Sequence, residues 1–224
     1  MIARELIDTA DVPGGEQLRL FRRGSDYMIL LDRNELMNSR MSGSEEVLAL
    51  NTIERLGRPT PHLLIGGYGM GFTLRAALGV LGPAAKATVV ELVPKIIEWA
   101  KGPMAHLTAG CLSDPRVRVV DGDVALIIEA ESGEYDGILL DVDNGPDGLT
   151  RAGNDGLYSP RGLEAARRAL APGGILAVWS AAPDTCFARR LSEAGFEVDE
   201  VSVRARRNGK GPRHVIWFAR KQIR

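Results

Sequence analysis

Between His62 and Ala181 the chain alternates short, mainly apolar runs with helical patterns, and this rhythm restricts its fold more than any other feature. "HLLIGG", "KATVVEL", "RVRVVDGD", "YDGILLDVD" and "ILAVWSA" are near-continuous apolar runs, as expected of strands covered on both faces. Between them stand "GFTLRAALGVLG", ended by Gly82-Pro83, and "VPKIIEWAKGPMAHL", opened by Pro94. The turn "VALIIEA" and the amphipathic "SPRGLEAARRALAPGG", ended by Pro-Gly-Gly, come next, and "DTCFARRLSEAGF" stands after the last run. Such alternation predicts a mostly parallel sheet with helices on both faces.

The two ends of the chain read differently. "EVDEVSVRARRNGKGPRHVIWFARK" predicts two strands joined through an Asn-Gly/Lys-Gly turn, hence a β-hairpin. A terminal antiparallel hairpin on a mostly parallel α/β sheet is the arrangement of Rossmann-like class I methyltransferase folds, expected here over residues 58–224. Residues 1–57 read as a small β cap with a linking helix. "EQLRLFRRGSDYMILLDRNELMNSR" alternates as two or three antiparallel strands, with a turn at Arg23-Gly24-Ser25-Asp26. "SGSEEVLALNTIERLG" is the helix, with Ser42 or Ser44 as N-cap and Glu45 and Glu46 in its first turn.

Charge excludes some functions. With 28 basic and 29 acidic residues the net charge is −1, which gives no reason to expect a nucleic-acid partner. The local excess of Arg and Lys near the C-terminus reads as a solvated hairpin loop. Cys111 and Cys186 form no metal or disulfide pattern, so no metal is expected. The N-terminal residues are acidic without an apolar core, no run is long enough to span a membrane, and the cytoplasm is the expected compartment.

In an open parallel sheet, ligands bind beyond the carboxyl ends of the strands. After the first strand come Gly67, Gly69 and Gly71, which let the backbone turn tightly and approach a ligand, or else serve close strand–helix packing. Glu91 closes the second strand about twenty residues after these glycines, a spacing that suits a carboxylate accepting both hydroxyls of a ribose. A plain acid at a helix start is the alternative, and an acid there disfavours a 2′-phosphate. Asp123, with Asp121 as competitor, is placed to accept from an adenine amino group beside the Val124 amide; a helix N-cap is the alternative. Asp141, Asp143, Asn144 and Asp147 stand after the fourth strand, where clustered carboxylates repel unless a cation offsets them or the loop is solvated. Together these strand ends point to an adenosine-containing ligand. The glycine loop lacks a P-loop lysine, no G-x-S-x-G elbow occurs, and His62, His106 and His214 are scattered.

At this level of detail the sequence resembles the spermidine synthases and related polyamine aminopropyltransferases. "GYGMGFTLRAAL" resembles their glycine loop, "VVELVPKIIEWAK" their second-strand acid segment and "DPRVRVVDGDVALII" their adenine segment. "YDGILLDVDNGP" is similar to their fourth-strand segment, and "LYSPRGLEAARRALAPGGILAV" to the helix and strand after it. The resemblance thus runs from about Pro61 to Val178. It implies a transferase binding S-adenosylmethionine or its decarboxylated form, passing an aminopropyl or methyl group to a small acceptor such as an amine. By position, Glu91 would hold the ribose, Asp123 and Val124 the adenine, and Gly67, Gly69 and Gly71 the methionine-derived chain. Asp141 would lie beside the transfer centre, with Asp143 or Asn144 at the catalytic position. The family's loop aspartate falls on Met70, its catalytic aspartate on Asn144, and its glutamine after the fifth strand on the Trp179-Ser180 region. "RMSGSEEVLAL" stands where a Tyr-His-Glu cluster is expected. These departures keep two alternatives open: a small-molecule methyltransferase, or a silent nucleoside-binding homologue. A homodimer through the N-terminal strands is compatible with the resemblance.

Overall fold

A computed structural model describes residues 3–13, 16–32, 34–142, 145 and 155–223. The N-terminal strands are β1 (Glu5–Asp11), β2 (Gln17–Arg23), β3 (Asp26–Leu31) and β4 (Asn34–Asn38), which form an antiparallel four-stranded sheet in chain order. The sequence pattern predicts only two or three strands. The extra one arises because Asp32 adopts a left-handed conformation (φ 50°), which an aspartate tolerates, and this turns β4 back onto β3.

Helix α1 (Gly43–Leu56) leads into the second sheet. Its elements are β5 (His62–Gly66), α2 (Phe72–Val80), β6 (Lys86–Glu91), α3 (Pro94–Lys101), α4 (Ala105–Thr108), β7 (Val117–Asp121), α5 (Val124–Ala130) and β8 (Tyr135–Leu140). Then come α6 (Asp155–Tyr158), α7 (Pro160–Ala169), β9 (Leu170–Ser180), α8 (Thr185–Glu193), β10 (Phe196–Arg204) and β11 (Arg213–Lys221). The segment "VPKIIEWAKGPMAHL" makes two helices rather than one, because Pro103 lacks an N–H and disfavours helical geometry at Gly102.

The strand order is β10-β11-β9-β8-β5-β6-β7, parallel from β7 to β9, with β11 antiparallel to both its neighbours. This is the Rossmann-like, class I methyltransferase arrangement expected from the sequence. Successive strand residues serve opposite faces: Leu63, Ile65, Val89 and Leu139 pack in one core, and Leu64, Val90, Ile138 and Leu140 in the other. The chain reverses direction across the sheet between β5 and β8. Register then sets Gly66 beside Val90 and Leu140, and Glu91 beside Asp121. The residues just past these pairs therefore converge on one crevice.

The start of α1 is fixed by tertiary contact. Ser42 occupies the N-cap position but its side chain makes no capping bond. Instead the Gly43 amide donates to the Ala205 carbonyl at 2.8 Å, and Glu46 pairs with Arg75 and Arg207. The hairpin loop thereby grips the first turn of the helix, so this part of the basic stretch is not merely solvated. A Cβ on Gly43 would lie 2.8 Å from the Arg206 carbonyl carbon, whereas one on exposed Gly79 meets nothing within 4 Å. Gly43→Ala should therefore destabilise the fold by about 1–3 kcal/mol in chemical denaturation. Gly79→Ala should stabilise it by about 0.5–1 kcal/mol. Equal effects from the two would show that the α1–hairpin contact is loose.

Candidate active site

Glycine conformation builds the first wall. Gly67, Gly69 and Gly71 all have positive φ, at 83°, 55° and 76°. A Cβ on Gly67 would sit 2.6 Å from the Asp141 carbonyl oxygen, and one on Gly69 would sit 2.8 Å from Met37 Sδ. Gly71 begins α2 and packs on Tyr68, away from the cavity walls that Gly67 and Gly69 form. The loop backbone is anchored by Glu91, whose two carboxylate oxygens accept the amides of Tyr68 and Val93, each at 2.9 Å. Glu91 is 5% exposed, and burial pushes its carboxyl above the ordinary range against the pull of these amides.

Two cavities meet at this loop. The first is lined by Gly67, Gly69, Glu91, Asp123, Val124 and Asp141 together with apolar residues that include Leu18, Leu31 and Met37 from the N-terminal strands. Asp123 is also the N-cap of α5, accepting the Ala125 amide at 2.8 Å, so the capping role and a place in the cavity wall coexist. The second cavity adjoins it through Leu36, Met37, Gly69 and Asp141, and continues past Glu45, Met70, Trp179 and His214. Tyr68, Met70 and Phe72 make its apolar wall, and the Tyr68 hydroxyl bonds Thr108 Oγ1 at 3.1 Å. Asp143 and Asn144 lie outside the described residues.

Asp141 lies where the two cavities meet, and Glu45 lines the second. The Thr73 hydroxyl donates to Asp141 Oδ2 at 2.9 Å, yet burial still pushes the Asp141 carboxyl up to about 6. Glu45 is pushed up to about 8, first by burial and then by the charge of Asp141. Ser44 Oγ donates to Glu45 Oε2 at 2.7 Å and lies 2.9 Å from His214 Nδ1. The His214 ring meets Trp179 edge-on, with centroids 4.7 Å apart, and burial lowers its pKa, favouring the neutral form. Among the described residues lining the two cavities are several acids and no lysine or arginine. Nor do the described residues contain a group of three or more His, Cys, Asp or Glu placed to hold a metal ion.

Glu45, Ser44 and His214 are not recognisable as site residues from the sequence. Glu45 reads as an ordinary first-turn acid, and only the grip of the hairpin loop on α1 turns it inward. His214 reaches the cavity because β11 inserts between β9 and β10.

The sequence pattern of the spermine/spermidine synthase domain matches residues 45–188. This chain belongs to the spermine/spermidine synthase family. It is 33% identical over 156 residues to polyamine aminopropyltransferase 1 of Streptomyces coelicolor, covering 66% of this chain and 28% of that one. It is 30% identical over 198 residues to polyamine aminopropyltransferase of Mycobacterium tuberculosis, covering 84% of this chain and 36% of that one. Putrescine N-methyltransferase 3 of Nicotiana tabacum is 34% identical over 119 residues, covering 53% of this chain and 29% of that one. The chain thus spans about a third of these relatives' length. The fold superposes on spermidine synthase from Thermotoga maritima with TM-score 0.77 at 21% identity, covering 98% of this chain and 74% of that one. A spermidine synthase in complex with the transition-state analogue AdoDATO matches equally well, with TM-score 0.77.

Within this family member, the raised carboxyls have a stability consequence. A folded-state pKa above the unfolded value contributes stability that is complete below the unfolded pKa and lost as pH rises through the folded one. For Glu45 that window runs from 4.5 to about 8. Glu45→Gln should therefore gain in melting temperature on the unmodified, ligand-free protein as pH climbs from 5 to 9. A difference independent of pH would show that Glu45 ionises normally.

Proposed function

We propose that this chain is an aminopropyltransferase of spermidine-synthase type, taking decarboxylated S-adenosylmethionine as donor and a small primary amine as acceptor. The observation that carries this reading is two adjoining cavities with Asp141 where they meet and Glu45 in the second, both acids pushed up by burial, and no lysine or arginine among the described lining residues. Such a site favours cations: a sulfonium on one side and an ammonium on the other. It also disfavours the extra carboxylate of intact S-adenosylmethionine, which would enter an acidic junction without a basic partner.

In this reading Glu91 accepts the ribose hydroxyls with the lone pairs its amide bonds leave free, and Asp123 with the Val124 amide reads the adenine. Gly67 and Gly69 let the chain carrying the sulfonium pass close to the backbone. Asp141, fixed by Thr73, lies beside the transfer centre. Apolar Tyr68, Met70 and Phe72 exclude water from the second cavity, which strengthens attraction between the acids and a bound cation. The amine must be a free base when it attacks, aligned opposite the departing sulfur.

Methyl transfer on the same scaffold is the second reading, favoured by the likeness to a putrescine N-methyltransferase. Calorimetric titration separates the two: aminopropyl chemistry requires tighter binding of decarboxylated than of intact S-adenosylmethionine, and the reverse order supports methyl transfer. Absence of binding by either donor and by methylthioadenosine would sink both. In Glu91→Gln one amide–carboxylate bond is replaced by two facing N–H groups. Methylthioadenosine affinity should then fall roughly 10- to 100-fold, equivalent to about 1–3 kcal/mol. Unchanged affinity would remove Glu91 from the nucleoside site.

A further inference from the structure

We infer that Glu45 is the proton acceptor for the attacking amine, and that Ser44 and His214 are positioning residues controlling when it is charged. The inference rests on the transferase reading above. Its geometric basis is a continuous chain: Glu45 in the wall of the second cavity, Ser44 Oγ at 2.7 Å from its carboxylate, and His214 Nδ1 at 2.9 Å from the same hydroxyl. Ser44 is fully buried and His214 is 8% exposed, so water does not compete freely for these bonds.

The serine has one proton, and this restricts the chain to two arrangements. With Glu45 ionised, Ser44 donates to the carboxylate and accepts from His214 Nδ1–H. With Glu45 protonated and donating, Ser44 turns its own proton to an unprotonated Nδ1. The change in Glu45 charge thus reverses the chain, and a proton leaving Glu45 can pass through Ser44 to His214 and out to solvent. Burial opposes a lasting charge on His214, which suits a group that hands a proton on.

The other charged groups around Glu45 fit the assignment. Asp141 after β8 opposes its ionisation, and Glu35 from β4 lines the same cavity. Glu46, its neighbour on α1, is held by Arg75 from α2 and Arg207 from the hairpin loop, so those cations are already engaged. His214 from β11 completes the surroundings. The empty site therefore keeps Glu45 protonated near neutrality, and an arriving ammonium drives that proton out. The carboxylate left behind takes a proton from the ammonium nitrogen. The freed lone pair forms the C–N bond, the C–S bond breaks, and its electron pair stays on sulfur as a neutral thioether. The product nitrogen keeps the positive charge.

The test titrates 1,4-diaminobutane into the methylthioadenosine complex at pH 7, in two buffers of different ionisation heat, which counts protons released. The unmodified protein should release nearly one proton, and Glu45→Gln almost none. With decarboxylated S-adenosylmethionine as donor, Glu45→Gln should lower kcat by about 100-fold or more and abolish the acidic limb of its pH profile. Ser44→Ala, which removes a donor to the carboxylate, should move that limb to higher pH, and Ser44→Thr should restore it. Release of a full proton by Glu45→Gln, or an unmoved limb in Ser44→Ala, overturns the assignment. Failure of methylthioadenosine to bind overturns the transferase reading instead, so the two failures are distinct.

Discussion

A carboxylate buried as deeply as Glu91 survives only if the surrounding backbone supplies its hydrogen bonds, and here the Tyr68 and Val93 amides do so. Those amides belong to different segments, the loop after β5 and the start of α3. Their shared acceptor therefore fixes one strand end against the next. With the loop anchored, Gly67 can lie against the Asp141 backbone and Gly69 against Met37, contacts too close for any side chain. The floor of the crevice thus depends on satisfying one buried acid, and Asp141 is placed by the same packing. The residues proposed to bind the nucleoside are thus also the ones that hold the loop in place.

The parallel sheet is legible in the sequence because its signals are local. Continuous apolar runs mark strands covered on both faces, and Pro94 or the Pro-Gly-Gly turn mark where helices start and stop. Glu91, Asp123 and Asp141 are legible for a related reason: strand ends converge in any sheet of this topology, so position along the chain implies position in space. Glu45 and His214 obey no such rule. They meet only because the hairpin loop closes over the first turn of α1, through Gly43 to Ala205 and Glu46 to Arg207. These contacts join residues more than 150 positions apart, and no periodicity encodes them. The fourth N-terminal strand escapes for a smaller reason, a single left-handed aspartate at position 32.

The N-terminal strands do more than cover an edge. Leu18, Leu31, Leu36 and Met37 wall the two cavities, and Trp99 of α3 donates to Asp8 of β1 at 2.9 Å. An apolar lid over acidic groups lowers the local dielectric, which raises both the penalty for an empty charged site and the reward for filling it with a cation. On the proposed function, the same walls that destabilise ionised Glu45 and Asp141 would favour a bound cation. Stability given up there would then be recovered on binding.

The residue at position 70 is best understood through this charge balance. An aspartate there would add a further carboxylate to a cavity that already holds Glu35, Glu45 and Asp141, with no lysine or arginine among its described lining residues. Each ionised acid opposes ionisation of the others, so a further carboxylate would be held protonated or would hold a neighbour protonated. Met70 is 4% exposed and packs in the core cluster with Tyr68 and Phe72. It leaves Glu45 and Asp141 as the buried acids whose charges oppose one another. Glu45 lines the second cavity from the first turn of α1, a helix that the hairpin loop holds in place. The bulky residues that interrupt the glycines and the unassuming glutamate of "GSEE" thus line one cavity.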